Sequence, residues 1–200
     1  MRCVLKYTKS SDEIKLEKIK ILFQFAIMLI ASIVLGVCLA RVISIDLRST
    51  ATANILRHFS PQGTKGVGDF LEYLRYSAFD VIVVVLLVIF SFSFINYIIS
   101  DIVIVMYGAK LGIASSLLLA IPEVRAFDRF VFFTFKPLLL ILIVLFSYKM
   151  ALFSLEIRRF SNNGRLVADR RKTLSMLLAS LAFIGLILII NGLYCLCLYI

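Results

Sequence analysis

The sequence predicts an all-α protein, a polytopic transmembrane helical bundle with about five spans. Of its 200 residues 62% are hydrophobic, and the mean hydropathy is +1.01, whereas soluble domains are only about 45–50% apolar. The longest apolar run, from Phe79 to Ile121, has 43 residues. As a single helix it would reach roughly 65 Å, about twice the thickness of the hydrocarbon core of a bilayer. The run is therefore predicted to fold back as a hairpin.

We predict the turn of this hairpin at Ser100 and Asp101, which end the polar interruption that begins at Asn96. A turn at this position leaves two halves of near-spanning length, 79–99 and 102–121. Asp101 would then cap the second half, because a carboxylate accepts hydrogen bonds from the free N–H groups of a helix's first turn.

The other predicted segments follow from the remaining apolar runs. Residues 1–20 form a charged leader, and residues 42–78 form the one substantial loop. The membrane domain then covers 21–200, with spans at about 21–43, 79–99, 102–121, 131–155 and 173–199. This organisation leaves no room for a sizeable soluble domain.

Basic residues predict the orientation, because loops rich in Lys and Arg remain in the cytoplasm. The leader carries six basic residues, and the segment 156–172 carries another six. Four predicted crossings separate these two segments, so both can lie on the cytoplasmic side. We therefore expect a multi-pass protein of the cell membrane with a cytoplasmic N-terminus, an outer loop 42–78 and an external C-terminus.

Three ionisable residues fall inside or next to the predicted spans, namely Asp101, Lys110 and Lys149. A charge inside a membrane is by default a functional hypothesis. For both lysines the alternative is that the long side chain carries its ammonium to the membrane surface. Asp101 and Lys110 are nine residues apart, which places them on opposite faces of a helix.

Small residues form one face of the third predicted span. Gly108 and Gly112 are four residues apart, and Ala114, Ser115 and Ser116 follow them. Faces of this kind allow two helices to approach closely in lipid. The pattern predicts helix packing at Gly108 and Gly112, either within the chain or between copies of it.

Groups that carry enzymatic chemistry are scarce. The chain has one histidine, His58, and it contains neither a GxSxG sequence nor a phosphate-binding glycine loop. The spacing of its four cysteines does not suit a metal site. We expect no enzyme, no catalytic residue, no cofactor and no metal. The net charge of +10 is concentrated at the ends of the apolar runs, which indicates membrane orientation rather than nucleic-acid binding.

The outer loop contains two short amphipathic pieces within residues 54–75, separated by the turn signals PQG and GVG. Such a segment can lie on the membrane surface as an elbow, and it can also present a docking platform to another protein. If it docks a partner, the candidate residues are Arg57, Lys65 and Arg75.

Several features together resemble the stage II sporulation protein M family of bacterial integral membrane proteins, over about residues 20–160. The outer segment ILRHFSPQGTKGVGDFLEYLRYSAFDV precedes an apolar hairpin, and MYGAKLGIASSLLL follows its break with Gly108 and Gly112 in matching places. A short loop with Pro122 and a span with the early Pro137 come next. The family's usual glycine and proline at the hairpin turn are replaced here by Ser100 and Asp101.

The resemblance implies a non-enzymatic scaffold in the membrane. In endospore formers the family holds two wall-degrading proteins, stage II sporulation proteins D and P, at the septum during engulfment. The expected partners are therefore the lipid bilayer and other membrane proteins, including peptidoglycan hydrolases. Two alternatives stay open: a permease-like membrane subunit of an ABC-type transporter, whose ATPase would dock on 156–172, and a small immunity or stress membrane protein. The sequence does not indicate an oligomeric state.

Overall fold

The structure, a computed structural model, describes residues 11–42, 67–93, 95–122, 124–162 and 170–199. These residues form five helices: α1 (Ser11–Val42), α2 (Val67–Phe90), α3 (Asn96–Ala120), α4 (Ala126–Asn162) and α5 (Arg170–Tyr199). Four of the described helices, α1, α3, α4 and α5, are long and apolar enough to cross a membrane. The all-α fold class predicted from the sequence is confirmed.

The chain reverses earlier in the hairpin than the sequence predicted. α2 ends at Phe90 and α3 begins at Asn96, so the turn lies between these two residues. The predicted turn at Ser100 and Asp101 is wrong, since both residues lie within α3. No side chain caps the start of α3, where the N-cap position is occupied by Ile95.

Two serines explain the position of the turn. The Ser91 hydroxyl donates a 2.6 Å hydrogen bond to the carbonyl of Val88, and the Ser93 hydroxyl accepts one of 3.3 Å from the N–H of Ile95. Local bonds of this kind compete with the helical hydrogen-bond pattern and favour its interruption. Asp101 instead bonds to a distant helix, as described below, and so leaves the backbone of α3 undisturbed.

Other boundaries differ from the predicted spans at their ends. α1 starts at Ser11, inside the predicted leader, and residues 67–78 of the predicted loop belong to α2. Pro137 lies inside α4 rather than in its first turn, because that helix already begins at Ala126. Proline has no N–H to donate within a helix, so the otherwise continuous α4 lacks one backbone hydrogen bond there.

α3 occupies the centre of the bundle. It packs most extensively on α1 and also contacts α4 and α2, while α5 packs against α2 and α4. Large apolar side chains from all five helices meet in the core, and the fully buried ones include Phe25, Leu87, Ile104, Ile143 and Ile187. This arrangement brings the polar residues of α2, α3, α4 and α5 towards one another.

Candidate functional site

A buried carboxylate lies where four helices meet. Asp80 of α2 is only 5% exposed. Its Oδ1 accepts a 2.5 Å hydrogen bond from the hydroxyl of Tyr107 in α3, and its Oδ2 accepts a 2.9 Å bond from Nδ2 of Asn191 in α5. Both carboxylate oxygens therefore have a donor, as a buried ionised carboxylate requires.

Lys136 of α4 supplies a positive charge to the same place. Its ammonium interacts electrostatically with Asp80 and lies 4.2 Å from the centroid of the Tyr194 ring, within the range of a cation–π contact. An isolated charge in a membrane interior is costly, so such residues pair with one another. We refer to Asp80, Tyr107, Lys136 and Asn191 as the Asp80 cluster.

Two members of the Asp80 cluster lie about half-way along their helices, whereas Lys136 is ten residues from the start of α4 and Asn191 is eight residues from the end of α5. Tyr107 is 11 residues from the start of α3 and 13 from its end. Asp80 precedes the end of α2 by ten residues, which is roughly 15 Å along the axis at 1.5 Å per residue. The apolar part of α2, Ser77–Phe90, is shorter than the four candidate spans, and Asp80 lies near its start.

Sequence reasoning missed this cluster because it placed the hairpin turn too late. With the turn at Ser100, Asp80 becomes the second residue of a span and lies at the membrane surface. Moving the turn to residues 91–95 puts the carboxylate deep inside the bundle. The available signal was a single acid within the apolar run FDVIVVVLL, matched by a single Asn191 within the apolar run of the last span.

Lys110, which the sequence singled out, lies next to this cluster. It follows the start of α3 by 14 residues, so it is roughly 21 Å from the hairpin end of that helix. Its ammonium interacts electrostatically with Lys136 and lies 5.4 Å from the centroid of the Phe79 ring. Its side chain is exposed, and the expectation that it carries its ammonium to the membrane surface stays a prediction.

Asp101 takes part in a different contact, between α1 and α3. Its Oδ2 accepts a 3.4 Å hydrogen bond from Nε2 of Gln24, and the Tyr97 hydroxyl donates to Oε1 of the same glutamine. The three side chains connect the hairpin end of α3 to the first helix.

Lys149 lies on α4, apart from the Asp80 cluster. It is exposed, and its ammonium is 5.5 Å from the centroid of the Phe183 ring. Glu156, which shares a helix face with Lys149, pairs with Lys172 of α5 at 3.5 Å. Lys149 therefore lies on the outer surface of the α4–α5 pair.

Gly108 and Gly112 lie directly against α1. A Cβ atom at Gly108 would collide with the hydroxyl of Ser32, and one at Gly112 would collide with the carbonyl of Ile33 and come within 3.1 Å of the Cα of Gly36. The small face of α3 is therefore filled by a helix of the same chain. Of the two packing partners that the sequence left open, the structure shows the intramolecular one.

The remaining predicted site residues fall in the outer loop and at the start of α2. Arg57 and Lys65 lie outside the residues that the structure describes. Arg75 belongs to α2, and the description there covers only its backbone. Within the described ranges, no three His, Cys, Asp or Glu side chains converge in a way that could hold a metal ion.

Comparison of the chain with protein families, with curated proteins and with solved structures finds no match. The class of the protein follows from its helices alone: four of the described ones are long and apolar enough to span a bilayer, so it is a helical membrane protein. The resemblance to the stage II sporulation protein M family stays a prediction.

Proposed function

We propose that the protein is a non-enzymatic scaffold of a cell-envelope complex in the cell membrane, with peptidoglycan hydrolases as its partners. The observation that carries the proposal is the packing of MYGAKLGIASSLLL, residues 106–119, on α1. This segment carries the family resemblance, and its two glycines bring the backbones of α1 and α3 into contact. Close backbone contact favours a rigid helix pair in lipid, which is what a scaffold needs.

The proposed orientation has the N-terminus in the cytoplasm and the C-terminus outside. It is supported by the six basic residues of the leader and the six of residues 156–172, since basic segments stay in the cytoplasm. Four helices lie between these two segments, and the proposed orientation requires that α2, whose apolar part is the shorter stretch Ser77–Phe90, crosses the membrane together with the three longer helices. The hairpin end of the bundle then faces the cytoplasm, and the outer loop faces the cell wall.

Arg57, Lys65 and Arg75 are the proposed docking residues on the wall side. Reversing all three to Glu should release a hydrolase partner that co-purifies with the wild-type protein after cross-linking in native membranes. A matched control reverses Arg41, which is exposed in the last turn of α1 at the wall-side end of the proposed orientation. Membrane insertion is checked in both variants by protease protection. Equal recovery of the partner with both variants would contradict the proposed docking surface.

A role in endospore engulfment makes a separate, physiological prediction. If the protein positions wall hydrolases at the septum, deleting its gene should stop the mother-cell membrane from migrating around the forespore. Fluorescence microscopy of stained membranes in sporulating cells measures this directly. If engulfment is normal in the deletion strain, the role in engulfment is wrong. The proposal is then limited to a scaffold of another process of the cell envelope.

The Asp80 cluster favours a second candidate, a membrane subunit of a transporter. Transport pathways are among the usual reasons for ionisable residues in a membrane interior. An Asp80→Asn variant distinguishes the two functions. It should leave the amount of partner recovered per inserted protein unchanged if the protein is a scaffold, and it should abolish transport-dependent growth if the protein is a permease-like subunit.

A further inference from the structure

Three exposed lysines lie near the hairpin end of the bundle. Lys18 and Lys20 belong to α1 and Lys149 belongs to α4, and all three side chains are exposed. None of the three makes a salt bridge with a residue that the structure describes. We refer to Lys18, Lys20 and Lys149 as the hairpin-end lysines.

Contacts with the hairpin show how close two of these lysines lie to its turn. The Phe153 ring of α4 lies 5.7 Å from the Phe92 ring of the turn, measured between centroids. Lys149 precedes Phe153 by four residues, which is about 6 Å along the helix axis. Lys18 lies beside α4 in the same region, because its carbonyl accepts a 3.4 Å hydrogen bond from the hydroxyl of Tyr148.

Lys20 lies one helical turn from the polar contact between α1 and α3. Gln24 of α1 is hydrogen-bonded to Tyr97 and Asp101 of α3, and Tyr97 is the second residue of that helix. Lys20 precedes Gln24 by four residues, so both residues lie on the same face of α1. The three lysines therefore lie at one end of the bundle, on two helices that contact each other.

Exposed apolar side chains continue from these lysines along both helices. On α1 they are Leu22, Phe23 and Ile27, which follow Lys20 within seven residues. On α4 the exposed Leu145 precedes Lys149 by four residues. The surface thus combines ammonium groups at the end of the bundle with an apolar face directly next to them.

Basic residues at the opposite end of the bundle are engaged differently. Arg125 binds Asp128 through hydrogen bonds of 2.9 and 3.1 Å, and Arg129 donates a 2.5 Å hydrogen bond to the carbonyl of Ile121. These two arginines already have acceptors within the chain, whereas Arg41 in the last turn of α1 is exposed. Several exposed ammonium groups without a carboxylate partner are thus a feature of the hairpin end.

We propose that the hairpin-end lysines bind the headgroup of an anionic phospholipid, whose acyl chains lie along the exposed apolar side chains next to them. Basic residues near a membrane surface attract anionic lipids. A phospholipid carries its phosphate and its apolar chains in the same order as the two parts of this surface, whereas a free phosphate ion matches the lysines alone. The inference does not depend on the scaffold proposal, because it concerns α1 and α4 and not the outer loop. In the proposed orientation the lipid belongs to the inner leaflet.

Tryptophan fluorescence of the full-length protein in lipid vesicles measures which lipid lies next to these lysines. The chain contains no tryptophan, so Leu22→Trp gives a single reporter four residues from Lys18, on the same helix face. The vesicles are phosphatidylcholine with increasing fractions of brominated phosphatidylglycerol or brominated phosphatidylcholine, because bromine quenches tryptophan on contact. Phosphatidylglycerol should bind at position 22 about fivefold more tightly than phosphatidylcholine, which corresponds to about 1 kcal/mol for one basic residue near the membrane surface.

Two kinds of control accompany this measurement. Leu196→Trp places the reporter on the exposed side of α5 at the opposite end, where the last turn has no basic residue, and the two lipids should quench it about equally. In the Leu22→Trp protein, replacing all three hairpin-end lysines by Gln should remove the preference, and replacing them by Arg should retain it. Arg41→Gln should leave it unchanged.

The emission maximum in vesicles without bromine checks that each variant is inserted in the same way. If the Gln variant fails to insert, the comparison of positions 22 and 196 in proteins with all lysines present decides. Equal quenching by both lipids at position 22 would overturn the proposal, since the lysines would then be interface anchors without lipid preference. A preference of equal size at position 196, or one that survives the three Gln substitutions, would overturn it as well, because the net charge of the chain would then be its source.

Discussion

Asn191 donates a 2.9 Å hydrogen bond to Asp80, 111 residues earlier in the chain. The bond joins the last helix to the hairpin in the interior of the bundle, where both side chains are buried. Hydrogen bonds to charged groups contribute about 1.5–3 kcal/mol, so this contact is a principal connection between α5 and α2. It also orients the carboxylate towards Tyr107 and Lys136.

Replacing Asn191 by Leu should destabilise the protein by about 1.5–3 kcal/mol, because Oδ2 of Asp80 loses its donor while remaining buried. Reversible unfolding in detergent measures the change in the free energy of unfolding. Leu193→Ala, on the exposed side of the same helix, should have a much smaller effect. Equal losses from the two substitutions would show that the bond to Asp80 contributes little.

Asp80 and Lys136 should be coupled in stability. Each single neutralisation, Asp80→Asn or Lys136→Met, leaves the other charge without its counter-charge and should lower the free energy of unfolding, with a coupling of about 0.5–3 kcal/mol between the two sites. The double variant should cost less than the sum of the two, because it leaves neither charge behind. The same unfolding measurement on all four proteins gives the coupling energy. If the loss of unfolding free energy in the double variant equals the sum of the losses in the two single variants, the two charges do not interact.

Side chains at the contact between α1 and α3 should be poorly tolerated. Gly112→Val forces a branched side chain into the backbone of α1 at Ile33 and Gly36, and overpacking of this kind costs about 1–3 kcal/mol or more. Gly185→Val on α5 is the control, since a Cβ there meets nothing within 4 Å. The thermal midpoint of the two variants in detergent tests the difference, and similar midpoints would argue against the close packing.

The position of the hairpin turn can be tested by thiol labelling in a variant without native cysteines. Cysteine at Ser93 should react quickly with a membrane-impermeant reagent added from the hairpin side, because it lies in the turn. Cysteine at Ser100 should react slowly, since that position is fully buried within α3. Faster labelling at position 100 than at position 93 would indicate that the turn lies at Ser100 and Asp101, as the sequence predicts.

How much of the fold could be predicted from the sequence depends on how local each signal is. The number of helices follows from the lengths of apolar runs, and the small face at Gly108 and Gly112 follows from their spacing. The position of the hairpin turn does not follow from the sequence. The hydrogen bonds of Ser91 and Ser93 to the local backbone mark it only in the structure. The sequence predicts Asp101 as a helix cap, whereas its carboxylate accepts a hydrogen bond from Gln24, 77 residues away.

The Asp80 cluster could not be predicted for the same reason. Its four members come from four helices, and their convergence depends on the register between the helices, which apolar patterning does not determine. A turn displaced by several residues is enough to move Asp80 from the interior to the surface. Asp80 and Asn191 each stand as a polar residue within an apolar run, and this is the one sign of the cluster in the sequence.

The convergence of α2 and α5 at Asp80 is tested most directly by disulfide cross-linking in the cysteine-free variant. Asp80→Cys paired with Asn191→Cys should form an intramolecular disulfide under mild oxidation, detected by mass spectrometry of the digested protein. Ile82→Cys paired with Asn191→Cys should not, because Ile82 is exposed on the opposite side of α2. Cross-linking of the second pair in preference to the first would contradict the buried cluster.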